Sequence, residues 1–328
     1  MKKWFYCFLS VVILAGLLGE SYASPSITGV SGSIVDRSSI VIGGSSFGSN
    51  SLDIEWTGDN IEAGAVGDNF SKKKWAVDGT VGSTAFYPTK YTDTKVHSGS
   101  QSLISQYPEE SYYGSGYQYD HGSVFGTIYA SWWVYFDHVD SQGQWKKWRL
   151  SPGVGWNRYE GEIEQGDFYE ASGECRQALV NLFCNAGPYD ECFPDSNYGN
   201  RWTDCTPNNA WRRIELYAKE SSEAGARDGV FIYMVHPQSG LVETRKDWDG
   251  TVITRAEGVT ERWRYMKFQN YWGNISGGDG TKEKIYVDDI FIQIGSQARV
   301  EIGDNATWTH CTHREIQIPT AWSDTEIT

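Results

Sequence analysis

Beyond residue 56, polar and apolar residues alternate with a period of two over much of the chain. In Thr127–Phe136, Trp132, Val134 and Phe136 fall on one side. In Trp211–Lys219, Ile214, Leu216 and Ala218 take one side, and Arg213, Glu215, Tyr217 and Lys219 the other. Successive side chains of a strand point to opposite faces, so this alternation predicts half-buried strands. Val230–Val235, Leu241–Arg245, Tyr265–Trp272 and Ile285–Ile294 read the same way. Turn signals separate them: Arg227-Asp228-Gly229, His236–Gly240, Asp249-Gly250 and Gly277–Gly280. No segment sustains a 3.6-residue period beyond a turn or two. Many short strands with Gly/Asp turns predict an all-β, antiparallel sandwich whose inward faces form the core.

Composition narrows the class. The 15 Trp, 20 Tyr and 13 Phe in 328 residues are too many large rings to stay solvated, which argues against disorder. The net charge of −14 and the lack of a Lys/Arg block argue against nucleic acid as a partner. Lys2 and Lys3 precede an apolar run from Trp4 to Leu18, and Ser21-Tyr22-Ala23 supplies a small-x-small cleavage pattern. Residues 1–23 thus read as a secretory signal peptide, cut after Ala23, which predicts an extracytoplasmic or cell-surface protein. No Cys follows the cut to carry a lipid, and no other run approaches a membrane span, so no membrane insertion is expected after cleavage.

Secretion changes how the cysteines read. Cys7 leaves with the signal. Cys175, Cys184, Cys192 and Cys205 lie in one Asn-, Pro-, Gly- and Asp-rich stretch, and their spacings are too wide for zinc pairs. In an oxidising compartment they are expected to form two disulfides stapling a long loop, with Cys311 the natural odd thiol.

Ser131–Phe136, Gln144–Arg149, Trp211–Tyr217, Asp228–Tyr233 and Tyr286–Ile290, in that order, resemble a concanavalin A-like jelly roll of the kind found in polysaccharide lyases, glucanases and lectins. The resemblance spans residues 57–298 and implies two stacked sheets, one of them concave and able to hold a glycan chain. Pro25–Ser31 and Ser39–Gly48, within residues 24–56, resemble the opening of an IPT/TIG module; residues 316–328, within the tail 299–328, resemble its later part. The ends read as two partial modules, as one interrupted by the jelly roll, or as edge strands added to it.

One fold hosts many activities, so function has to come from residues. On Gln144–Arg149, strict alternation puts Gln144, Lys146 and Trp148 on one face and Trp145, Lys147 and Arg149 on the other. Trp148, Lys146, Arg158, Lys267 and Gln269 are the expected sugar-binding residues, since rings stack on pyranose C–H faces and planar polar groups fix hydroxyls. Arg213, Glu215 and Tyr217 form a comparable row. Glu162, Glu164 and Asp167 are spaced like the catalytic strand motif of laminarinase-type glycosidases, with Glu and Asp exchanged at two places. A lyase acting on uronic acids needs a group to neutralise the carboxylate and a base for the C5 proton; Gln144, Arg149, Tyr159, His236 and Tyr271 are the right types. The alginate-lyase signatures themselves are missing: Gln317-Ile318 is followed by Pro319.

Asp279, Asp288 and Asp289 offer oxygen ligands for a structural Ca²⁺, the one cofactor the sequence suggests. His310 and His313 fall on opposite faces of a strand and read as structural. Asn69, Asn274 and Asn305 sit in glycosylation sequons. The reading is a secreted jelly roll that binds extracellular polysaccharide on its concave face. The alternatives are a polysaccharide lyase, a laminarinase-like hydrolase, and a structural cell-surface component.

Overall fold

The computed structural model describes residues 24–33, 35, 38–72, 74–77, 80–81, 84–85, 88–106, 116–137, 144–153, 163–168, 176–182, 201–204, 209–237, 244–255, 257–273 and 284–328. Residues 1–23, the four clustered cysteines, Arg158, Tyr159, Glu162 and Asp279 lie outside them. So do the side chains of Gln144, Lys146, Glu164, Asp167, Gln269 and Tyr271.

The alternating segments form two antiparallel sheets, as the sequence predicts, in a jelly-roll sandwich. One sheet has eight strands, ordered Thr244–Val252, Gly229–Pro237, Trp211–Lys219, Thr127–Asp137, Lys284–Ile294, Ser102–Gln106 and Lys90–Thr92, with Asp53–Trp56 paired to the far end of Lys284–Ile294. The other has seven, ordered Arg201–Asp204, Arg176–Leu182, Ile163–Phe168, Gln144–Ser151, Tyr265–Gly273, Gly116–Asp120 and Trp75–Val77.

Large rings interlock between the layers. Trp132 of the eight-stranded sheet meets Phe268 of the other edge to face, with centroids 5.2 Å apart. Trp148 crosses in the opposite direction and stacks on Phe231 and Tyr233 at 6.0 and 6.3 Å. Such contacts add to the large area each ring removes from water. Leu150, Ile163, Met266, Tyr117 and Tyr119 complete the floor, and Ile128, Leu216, Val235, Ile290 and Ile292 the roof.

Two local departures from the expected pattern are bulges. Asp249-Gly250 is not a turn but lies inside Thr244–Val252. Gly229 pairs with Val252 and Val230 with Asp249, so two residues are pushed out of the ladder, and Gly250 takes φ +63°. An Asp-Gly pair serves a bulge as well as a turn, because both need a left-handed residue. The second departure is at Lys147. Lys146 pairs with Gly166 and Trp148 with Gln165, so Lys147 has no counterpart on that neighbour. The alternation reverses there, and Trp148, expected on a sugar-binding face, is 0% exposed in the core.

The chain ends meet. Ser26–Gly32, Ile40–Ser45 and Glu326–Ile327 form a separate three-stranded sheet, with Ile42 opposite Ile327. Phe47 N–H donates to the Asp324 carbonyl at 3.0 Å, and Trp322 Nε1 to the Phe47 carbonyl at 3.3 Å. Ile42, Phe47, Val300 and Ile327 make its small core. The segments leading into and out of the jelly roll run side by side: Asn50 Nδ2 donates to the Ala298 carbonyl at 2.8 Å and Ser51 Oγ to that of Ile294 at 3.0 Å.

The stretch after Ile294 is clamped to the outer face of the eight-stranded sheet by buried charges. Arg213 donates to Glu301 at 2.9 Å and lies 3.2 Å from Glu215. Arg299 donates to Glu301 at 2.6 Å and to Glu215 at 2.8 Å, and sits 4.2 Å above the Tyr129 ring. Tyr129 Oη donates to Glu215 at 2.8 Å. Burial alone would raise the Glu215 pKa, but Arg213, Arg299 and His236 hold it well below the usual carboxylate range. Glu301 is likewise lowered, against its burial, by Arg213 and Arg299.

Two stability outcomes follow. Trp148→Ala should cost about 3–5 kcal/mol in urea denaturation; a loss near zero would contradict its placement in the core. Glu301→Gln leaves two arginines facing one carboxylate and should cost about 3–5 kcal/mol. Because Glu301 titrates below its ordinary 4.5 in the folded chain, its contribution is present above that pH and fades as acid brings the protein through the lowered value. The variant should therefore lose less stability than the parent between pH 5 and pH 3, read from urea midpoints at both.

Candidate functional site

Each sheet has an outer face, and the two differ. That of the eight-stranded sheet carries Arg213, Glu215 and Tyr217, the row compared above with a sugar-binding surface. The Glu301 and Arg299 side chains cover it, so Arg213 and Glu215 are buried in an ion-pair network. That row is structural. His236, expected beside Gln144, Arg149 and Tyr271, also belongs to this sheet. Its strand pairs with Trp211–Lys219, placing His236 opposite Arg213, and its Nε2 lies 2.9 Å from Glu215. The core separates it from the sheet that carries Gln144, Arg149 and Tyr271.

The outer face of the seven-stranded sheet is different. Phe268, Met266, Trp148 and Leu150 point into the core, so Arg149 and Lys267 between them occupy the outer side. Arg149 pairs with Lys267, and Lys267 with Gln118 on the next strand. The three form one row across three strands, exposed by 3%, 0% and 5%. Gln118 escaped the sequence analysis. Its signal was there: in Gly116–Asp120, Tyr117 and Tyr119 alternate with it, and both rings are core.

Backbone register extends the row. Residue 164 is opposite Arg149, residue 146 is opposite residue 271, and residue 144 is opposite Gly273. Because of the bulge at Lys147, positions 144 and 146 share the face of Arg149, and not that of Trp148. Positions 267 and 269 alternate onto the same face, and position 271 follows through its pairing with residue 146, across a register shift in that ladder. Three lyase candidates (144, 149 and 271) and three sugar-binding candidates (146, 267 and 269) thus come to one side of one sheet. Positions 164 and 167, three apart on a strand paired residue for residue with Arg176–Leu182, fall on opposite faces. Glu162, the other outer carboxylate of that set, lies outside the described residues.

Of the three calcium candidates, Asp288 and Asp289 lie within the described residues. Asp288 accepts from the backbone N–H of His97 at 2.9 Å, of Ser98 at 3.2 Å and of Asp289 at 2.9 Å. Asp289 accepts from Ser98 Oγ at 2.7 Å and sits 2.8 Å from His97 Nδ1, whose ring stacks on Trp133 at 3.8 Å. Both carboxylates bond to protein donors. Among the described residues no group of three or more His, Cys, Asp or Glu side chains is placed to hold a metal ion. His310 lies on a single turn of 3₁₀ helix, and His313 is bound to Glu315 at 2.6 Å, in keeping with structural roles. Cys311 is a free, buried thiol.

No family model and no curated protein matches the chain. Solved structures do. A PL-14 alginate lyase from Aplysia kurodai aligns at TM-score 0.45 and 14% identity, over 63% of this chain and 87% of its own. Lectin II from Ulex europaeus aligns at TM-score 0.42 and 8% identity, over 75% of this chain and 99% of its own. A cellulose-induced protein aligns at TM-score 0.37 and 13% identity, over 68% and 92%.

Burial, and then the neighbouring Asp289, push the Asp288 pKa from 3.8 up to about 8, against the opposing pull of its three backbone donors. The folded chain therefore holds a proton that the unfolded chain releases, between those two values. The stability this gives is complete below about pH 4 and is lost as pH rises towards 8. Asp288→Asn should remove that trend: the gap in urea midpoint between parent and variant should shift steadily in the variant's favour from pH 5 to pH 8. Parallel midpoints across that range would show that Asp288 is ionised throughout.

Proposed function

We propose that the outer face of the seven-stranded sheet binds an acidic polysaccharide, a polyuronate, in an extracytoplasmic setting. The observation that carries this reading is the row Arg149–Lys267–Gln118. Two cations stand side by side on a β-face turned away from the core, in a chain whose net charge is −14. Both side chains already have partners within the chain, so a uronate carboxylate would join or exchange with the contacts they make. The Arg fork matches a carboxylate in two bonds, and the Lys ammonium adds a compact charge beside it. The overall negative charge does not oppose this, because fields from exposed charges fade beyond about 8 Å at physiological salt.

A second reading, β-elimination, is favoured by one observation: register brings positions 144, 149 and 271 to the same face. There a Gln and an Arg would neutralise the uronate carboxylate. Tyr271, as its phenolate, would take the C5 proton while the C4–O4 bond breaks and a C4=C5 double bond forms, and the leaving O4 would take a proton from the resulting phenol or from water. His236 has no part in it.

Affinity electrophoresis through gels containing alginate or polygalacturonate tests the binding. The parent protein should be retarded, while Arg149→Ala and Lys267→Ala should each bind at least about tenfold more weakly, as expected for loss of a charge-assisted bond. A protein retarded by neither polymer, or by neutral laminarin just as strongly, would sink the proposal. Ultraviolet absorbance of an unsaturated product, abolished in Tyr271→Phe, would assign the lyase reading; retardation without it leaves binding alone.

A further inference from the structure

We infer that Gln118 is a specificity-determining residue of this face, its amide oxygen accepting a hydrogen bond from a sugar hydroxyl. The inference rests on the polysaccharide reading above and adds a contact to it. Gln118 is 5% exposed, yet its Oε1 has no hydrogen-bond partner and no contact with solvent. Buried polar atoms are nearly always bonded, and one left unmade carries the full cost of its desolvation. Such an atom in the core would be a packing defect. Gln118 is not in the core: its neighbours in sequence, Tyr117 and Tyr119, are, and alternation puts Gln118 on the opposite side, in register with Lys267.

The strand beneath it is held firmly. Tyr117 stacks on Phe268 at 5.2 Å with planes 10° apart, and Tyr119 packs against Trp75 at 5.4 Å. The position of the amide is therefore set before any ligand arrives, which lowers the cost of binding. The terminal torsion of Gln is broad, so rotation there turns the oxygen towards the face without moving the strand. Two residues earlier on the same face stands Gly116, opposite position 269, and it adds no side chain there. The chemistry is complementary to that of the cations. Arg149 and Lys267 donate only and select a carboxylate; the Gln118 oxygen accepts and selects a hydroxyl of the same or the adjoining sugar. A polyuronate presents both groups on each residue.

Gln118→Met keeps the length of the side chain and removes its polar end; Gln118→Leu is the second variant. Both should melt at or above the temperature of the parent, because an unsatisfied acceptor is gone, and both should be retarded at least about tenfold less by alginate. Retardation equal to that of the parent overturns the role of Gln118 alone and leaves the cationic face intact. A marked fall in melting temperature in both variants overturns it too, since the amide would then be serving the fold. If the parent is not retarded by alginate or polygalacturonate, the polysaccharide reading falls and Gln118 falls with it.

Discussion

One unpaired residue on the central strand of the seven-stranded sheet decides what each side of that sheet can do. Period-two alternation is rigid: a strand cannot send two consecutive side chains to the same layer without breaking its ladder. Trp148 and Leu150 must reach Phe231, Tyr233 and the rest of the core, so Arg149 is forced outward. Without the bulge at Lys147, positions 144 and 146 would follow Trp148 inward, and a Gln and a Lys would enter an apolar core with no compensation. The extra residue lets the apolar requirement at one end of the strand and the polar requirement at the other hold together. Bulges commonly re-aim side chains beside functional sites, and this one gathers the polar positions of the strand onto a single face.

The two outer faces carry different electrostatics. On the eight-stranded sheet, two arginines and two glutamates answer each other almost within van der Waals contact, with Tyr129 and His236 at the margin. Each carboxylate is lowered and each guanidinium raised by its partners, which is the signature of a set that is complete. Its effect is to fix the C-terminal segment, and through it the small sheet made by both chain ends. On the seven-stranded sheet the row runs from residue 164 through Arg149 and Lys267 to Gln118, and the acceptor left over in it is the Gln118 amide oxygen.

The strands were legible because alternation is a local property: Thr127–Asp137, Trp211–Lys219 and Lys284–Ile294 can each be read within ten residues or so. Three things were not. The bulge at Lys147 contains no Gly or Asn to announce it, so unbroken alternation placed Trp148 with Lys146. Asp249-Gly250 does carry such a signal, but a bulge and a turn share the left-handed requirement and only the neighbouring strand distinguishes them. His236 could be assigned a strand but not a layer, since which sheet a strand joins depends on pairing with Trp211–Lys219. The meeting of Ile42 with Ile327 is likewise a matter of topology, and no window of sequence spans it. The site was half legible for the same reason. Residue types pointed to sugars and uronates, but the sharing of a face by positions 144, 149 and 271 came from register, and Gln118 was hidden between two tyrosines that explain its strand completely.

Those tyrosines bear on why the polar row is tolerated. The unsatisfied Gln118 acceptor works against folding, and the sandwich must supply the difference elsewhere. It does so directly beneath the row: Tyr117, Phe268, Trp75 and Trp132 form a continuous aromatic layer under the same strands. Aromatic rings contribute large buried area with few torsions to freeze. The floor is thus at its most stable where the face above it is least so. Rigid backing of this sort holds donors and acceptors at fixed spacing along a sheet, and a fixed spacing is what a polymer of repeating sugars can be measured against.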